Sequence, residues 1–301
     1  MTRNFFIMSS LLAILCATSC TRTNDNNPAP DPPGNPPKDT VVVNNDTLLS
    51  KIVIWDSTKL NGAYTREFIF DSQKRVTLYV GYNSDTNGVK LSGAKTDTSL
   101  QCFYNGNDKN AYRAIGWNLF AYTTADVFHF YNSNNQVIKD SIYYGPGQYT
   151  SREYFYAADK LTTYDTHIVS PFPIGHSRDT FLLTNNDITK ASFSFAPGIG
   201  SYDLFDLTYD NKINPLNKLN IAPLRIIEGD KAFDKGTSLS PGFCKHNMTQ
   251  RISRYKSSPA TAQATDQFQY TYNDKDLPVY CKQTWQYYPT AFVRVKYLYT
   301  H

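Results

Sequence analysis

Five histidines, at positions 129, 167, 176, 246 and 301, are the side chains of this 301-residue sequence best suited to move a proton or hold a metal near neutral pH. None belongs to a His-x-His or His-x3-His pair and none has a glutamate beside it, so a metalloprotease-type zinc site has no support. Gly175-His176-Ser177-Arg178-Asp179 carries the residue types of a catalytic triad. Contiguous residues seldom converge, however, and no Gly-x-Ser-x-Gly elbow exists, so loop hydrogen bonding is the expected role of His176. Glutamate occurs only at 67, 153 and 228, and most aspartates sit in turn-like contexts where the carboxylate bonds nearby backbone. Paired carboxylates for glycoside hydrolysis would have to come from different strands, which keeps a polymer-degrading hydrolase as the alternative reading. The glycine-rich spots Gly198-Ile199-Gly200 and Gly145-Pro146-Gly147 do not open a helix after a strand and read as turns rather than phosphate loops. The expectation is a protein with no catalytic residues, no metal and no cofactor.

Chemistry of a different kind is written at the N-terminus. Arg3 followed by the apolar run Phe5 to Cys16 has the form of a secretion signal, and that run is shorter than the ~20 residues a membrane-spanning helix needs. Ala17-Thr18-Ser19-Cys20 ends it. Cleavage before Cys20 fits a lipoprotein signal, with Cys20 as the lipidated first residue; an ordinary signal-peptidase site would cut the same bond. The segment that follows favours the lipoprotein. Thr21 to Thr40 contains six prolines and no hydrophobic periodicity, so it should be extended, reaching on the order of 60 Å at ~3.1 Å per residue. Signal peptide 1–19, lipidated cysteine and tether 20–45, and a folded domain 46–301 are the expected divisions.

Composition bounds that domain. Forty-one per cent apolar residues, with 15% aromatic, are ample for a core. The formal charge of +4 becomes +3 once residues 1–19 and their single Arg3 are removed, and basic residues never run longer than two, so nucleic acid is not expected as a partner. Cys102, Cys244 and Cys281 remain after the signal and tether. They could supply one disulfide and one thiol, or three buried thiols packing as small hydrophobes.

The elements that must position anything functional are strands. In Phe268 to Trp285, Phe268, Tyr270 and Tyr272 alternate with polar residues, Asn273-Asp274-Lys275-Asp276 turns the chain, and Val279 to Trp285 returns. Related patterns surround Asp71 to Arg75, Asn132 to Gln136, Ala157 to Lys160 and Asp210 to Asn214. Their unequal spacing excludes a solenoid. The reading is an all-β antiparallel meander of about 12 to 16 strands at about 5 to 6 residues each, forming a large curved or two-layer sheet. At most one short helix is expected, near 215–222, before Pro223.

Tyr209-Asp210-Asn211-Lys212-Ile213-Asn214-Pro215-Leu216, then Lys245-His246-Asn247-Met248-Thr249, then Tyr270-Thr271-Tyr272-Asn273 with Pro278, resembles the ordered landmarks of a group of uncharacterised Bacteroidetes cell-envelope lipoproteins with Tyr-Asp-like hairpin repeats. The resemblance covers residues 200 to 301 best. It implies a location at the outer membrane or cell surface, or on its periplasmic face, and it supplies no activity.

The 23 tyrosines serve either a half-buried sheet or a binding surface, and most fall on the core-facing register. Trp117, Tyr287 and Tyr288 are the candidate binding residues. The expected function is an envelope-anchored, non-catalytic β-scaffold held to a membrane by lipid on Cys20, with a glycan or an envelope protein as partner.

Overall fold

The computed structural model describes residues 47–56, 62–118, 123–169, 175–192, 204–219, 244–286 and 288–300. The signal and tether, with Cys20, lie outside them, as do Tyr287, Glu228 and His301. Sixteen strands follow one another: β1 Leu48–Asp56, β2 Ala63–Phe70, β3 Val76–Ser84, β4 Thr96–Phe103, β5 Arg113–Asn118, β6 Thr123–Tyr131, β7 Val137–Gly145 and β8 Gln148–Ala157. The second half comprises β9 Lys160–Val169, β10 Gly175–Thr184, β11 Asp187–Ser192, β12 Leu204–Ile213, β13 His246–Arg254, β14 Ala264–Tyr272, β15 Pro278–Trp285 and β16 Tyr288–Thr300. A single 3-10 turn, Pro215–Leu219, follows β12.

Each strand pairs antiparallel with its neighbours in sequence, as the hairpin pattern predicts, but the sheet is neither open nor split into two layers. β1 pairs with β16 from Leu48↔Thr300 to Asp56↔Val293, closing a sixteen-stranded barrel. Closure answers the problem that a sheet this long poses: two unpaired edges. Periodicity of two reveals which residues share a face. It does not reveal whether the first and last strands meet.

Register assigns the two faces of the wall. Ile52 and Ile54 on β1 share a face with Arg66 and Phe68 on β2, Tyr79 on β3, Leu100 and Cys102 on β4, Ala114 on β5 and Val127 on β6. The same face continues through Ile142, Thr150, Thr163, Phe181, Ala191, Phe205, Arg251, Asp266 and Cys281 to Val295. All of these side chains are buried, so this face is the inside. A sixteen-stranded porin wall surrounds an aqueous channel. Here the inner residues are closed to water and pack as a core. One apolar cluster lies on β1–β5 and β14–β16, and a second on β7–β12 with Cys244.

The 3-10 turn helps to close one mouth. It leaves β12 yet packs on β1, with β13–β16 between the two around the wall, and Leu219 joins the cluster of Leu49 and Ile52. It stands where the expected short helix was placed, and it replaces the return strand that the Asp210–Asn214 unit would otherwise begin. Asn214 explains this: its N–H donates to the Lys245 carbonyl (2.9 Å) and its side-chain amide to the Cys244 carbonyl (3.1 Å). Pro215 then offers no donor to a ladder.

Three of the remaining units end in one turn design. Asp71, Asn132 and Asn273 each accept, through the side-chain oxygen, from the backbone N–H groups two and four residues on, at 2.9–3.0 Å. The fourth position adopts a left-handed conformation at Lys74, Asn135 and Asp276. Asp85 builds the same turn with Gly88 in the left-handed place. A strand register shift accompanies the hairpins at Asp71, Asn132 and Asn273, and that of β10–β11, and leaves carbonyls off the ladder. Tyrosines supply the missing donors: Tyr104 to Val76 O (2.8 Å), Tyr299 to Pro278 O (2.7 Å) and Tyr209 to Ile188 O (2.8 Å). Much of the tyrosine content is therefore interior carpentry.

Candidate functional site: the outer wall and two clefts

The inner wall holds polar groups, each built into the core. His129 Nδ1 lies 2.7 Å from Asp140, whose other oxygen accepts from Tyr154 at 2.5 Å. Asp187 accepts from both the backbone and the ring of His246, at 2.9 and 2.5 Å. Arg66 donates to Tyr79 (2.6 Å), and Arg251 is paired with Asp266. Burial, opposed by Arg251, raises the Asp266 carboxyl. Such pairs specify a packing arrangement at a desolvation cost. Cys102, Cys244 and Cys281 are free and buried, which resolves the cysteine alternatives toward thiols. Burial pushes Cys102 and Cys281 up to about 12 and Cys244 to about 11.

The outer wall differs. Outward register positions include Lys51, Glu67, Arg113, Asp126, Lys139, Glu153, Arg178, Lys190, Asp206, Arg254, Lys282 and Arg294. Arg113 and Asp126 join across β5 and β6 in a two-pronged pair at 2.7 and 2.8 Å. Each Lys or Arg on a lipid-facing strand costs about 2–4 kcal/mol at the bilayer midplane. Charge on most strands therefore weighs against a lipid-facing wall. Between the charges stand exposed aromatics on β6–β9: Phe130, Tyr143, Phe155 and Tyr164. Tyr143 makes ring contacts with Phe128 and Tyr149, each at 6.0 Å.

Two clefts open on this wall. The first, about 560 Å3, lies over β1–β3 and beneath the connection from β3 to β4. That connection is a strap laid down on the barrel. A Cβ on Gly88 would stand 2.9 Å from the Val53 side chain, and the strap covers Val53, Thr65 and Ser84, which face outward yet are buried. Within the cleft Lys51 Nζ lies 3.3 Å from Glu67 and donates to the Tyr82 hydroxyl at 3.2 Å; that hydroxyl donates to Glu67 at 2.8 Å. Lys51 and Lys90 stand 6.0 and 5.9 Å from the centre of the Tyr82 ring. The second cleft, about 530 Å3, lies over β10–β13 beside Pro259 and Ala260. Its charged residues are Asp206, Arg254, paired with it, and Lys190 at 4.0 Å.

The residues picked out from sequence are not brought together. Trp117 lies in β5 opposite Thr124, and Tyr288 opens β16 opposite Trp285, with β1–β4 between the two strands. Tyr287 lies outside the described residues. In the triad-like segment, His176 and Arg178 alternate with Ser177 and Asp179 on opposite faces of β10. His176 instead stacks on Tyr164 at 5.8 Å. Among the described residues no group of three His, Cys, Asp or Glu could hold a metal, and each cleft is lined by a single carboxylate, Glu67 in one and Asp206 in the other. Sequence reading missed the His129–Asp140 pair, although the register of the Asn132 turn dictates it. The strap cleft had no local signal, because Lys51, Glu67 and Lys90 come from three elements.

No family model matches the chain, and no curated protein matches it. Solved structures do. A porin-like protein from Bacteroides vulgatus ATCC 8482 aligns at TM-score 0.50 and 9% identity over 85% of this chain and 99% of its own. A porin-like protein from Bacteroides uniformis ATCC 8492 aligns at TM-score 0.42 and 14% identity over 83% and 97%. The first of these likenesses is one of fold. The resemblance to lipoproteins with Tyr-Asp-like repeats gains no family match.

Proposed function

We propose that the chain is an envelope-anchored, non-catalytic barrel scaffold, tethered by lipid on Cys20 and displaying its outer wall to water. The carrying observation is the wall: its inner face is buried, with two apolar clusters and charged pairs built in among them, and its outer face carries charges on most strands. In this reading the barrel stands outside the lipid and its anchor comes from elsewhere. Residues 1–45 would supply one in the form of a signal, a lipidation cysteine and a proline-rich leash. Leu48, at the start of β1, pairs with Thr300 of β16. The fold shared with a Bacteroides porin-like protein is consistent with an envelope location.

Fractionation of cells expressing the wild type and Cys20→Ala tests the proposal. Wild type should sediment with membranes and detergent should release it, whereas Cys20→Ala should be soluble. A variant that stays in the membrane pellet after an alkaline carbonate wash would mean that the strands themselves span lipid, and the reading would fail.

A further inference from the structure

The cleft beneath the β3–β4 strap holds one cation more than its carboxylate can neutralise. Lys51 is matched by Glu67 at 3.3 Å. Lys90 reaches the Thr96 hydroxyl and the Tyr82 ring, and it has no carboxylate partner among the described residues. This exposed ammonium at the rim of a cavity can take an anion from outside. The rest of the lining sets the body of that ligand. Ile69, Val80, Val89 and Leu298 give an apolar shelf, with Val89 63% exposed. Glu67 and Asn87 stand beside the shelf as polar groups able to bond hydroxyls.

We propose that this cleft binds a carboxylated sugar unit, a uronic-acid residue of an acidic glycan. Its carboxylate meets Lys90, its hydroxyls meet Glu67 and Asn87, and the C–H face of its ring rests on the aliphatic shelf. A volume of about 560 Å3 falls in the range of small-ligand sites. Two neighbouring chemistries fit less well. A phosphate dianion wants a nest of backbone N–H groups or an arginine fork, and the cleft has neither an arginine nor a helix end. A fatty carboxylate wants a deep apolar tunnel, whereas the shelf is open to water. The strap makes the site rigid before binding: the Asp85 side chain fixes its turn at 2.8 Å, and Gly88 seats it against Val53. Tyr82, only 4% exposed, is a post that holds both ammonium groups and not a stacking platform.

This inference deepens the scaffold reading and rests on it in one respect, that the outer wall faces water. Calorimetric titration of the purified chain with galacturonic-acid oligomers, matched galactose oligomers and inorganic sulfate tests it. The acidic oligomers should bind at least tenfold more tightly than the neutral ones, and salt should weaken them. Lys90→Met should reduce that affinity at least tenfold, while Lys90→Arg restores most of it and Glu67→Gln changes the sugar preference. Equal binding of acidic and neutral oligomers, full retention in Lys90→Met, or sulfate binding as tightly as the uronates would overturn the proposal. Failure to bind any of the three would also overturn it. The Cys20→Ala fractionation would be untouched by any of these outcomes, so the two proposals fail separately.

Discussion

On β13, Arg251 faces inward to Asp266, and Arg254, three residues on, faces outward to Asp206. Inside, the pair is almost wholly removed from water, with both side chains 7% exposed or less; outside, the two are 20% and 34% exposed. The same two functional groups thus perform different tasks on two faces of one strand. The inner pair fixes packing, because neither charge can be left alone. The outer pair is a solvated ornament whose breakage frees a cation. A second comparison follows from the outer one. Both clefts set two cations against one carboxylate, but the cleft over β10–β13 gathers both of them on Asp206, whereas in the strap cleft Lys90 stands apart from Glu67. Placement of charge, rather than net charge or cavity size, separates the two.

The contrast between the faces can be broken most violently from inside. Arg251→Ala should strand Asp266 in the core and cost about 3–5 kcal/mol, read as a drop in the urea midpoint, whereas Arg254→Ala should cost no more than about 1 kcal/mol. Equal losses from the two would erase the distinction. Gly88→Val comes next. Its left-handed φ of 80° and its 2.9 Å approach to Val53 should lift the strap for about 1–3 kcal/mol. Uronate binding at the strap cleft should be lost while the circular-dichroism spectrum of the barrel persists.

Alkali should act strongly on the inner wall. Cys102 and Cys281 titrate near 9.0 when unfolded and at about 12 when buried, so the folded state holds their protons longer. Their contribution is fully present below pH 9 and is lost as pH rises toward 12, at about 1.4 kcal/mol per thiol for each pH unit between. The melting temperature should therefore fall steadily above pH 9, and the thiols should resist iodoacetamide at pH 8 until urea is added. Rapid alkylation of the native chain would show an open interior. The smallest effect on stability sharpens the comparison of the clefts. Asp206→Asn should cost under about 1 kcal/mol and free Arg254 and Lys190, giving the second cleft an affinity for uronates that it otherwise lacks.

Much of the wall was legible in the amino-acid order. The alternation of Phe268, Tyr270 and Tyr272, and of Val293, Val295, Tyr297 and Tyr299, assigns inner positions that the register upholds. The turns at Asp71, Asn132 and Asn273 were recognisable because an Asx side chain bonds to its own backbone, a wholly local act. Closure was not legible, since pairing of β1 with β16 depends on the accumulated twist and stagger of every strand between them. The strap cleft was invisible for a related reason. Lys51, Glu67 and Lys90 meet only after three strands have been laid side by side and a connection folded over them. Choosing Trp117, Tyr287 and Tyr288 by residue type could not anticipate that.

The β1–β16 seam also governs how the molecule is made. Ser50 donates to the Leu298 carbonyl across 248 positions of sequence, so β1 cannot find its second neighbour until β16 has been synthesised. Until then a growing sheet carries a bare edge at each end, and loop closure of this length slows folding and prolongs that exposure. Export through a membrane before folding would let all sixteen strands arrive together. A chain built in this way keeps two edges open to wrong partners until the ring is joined.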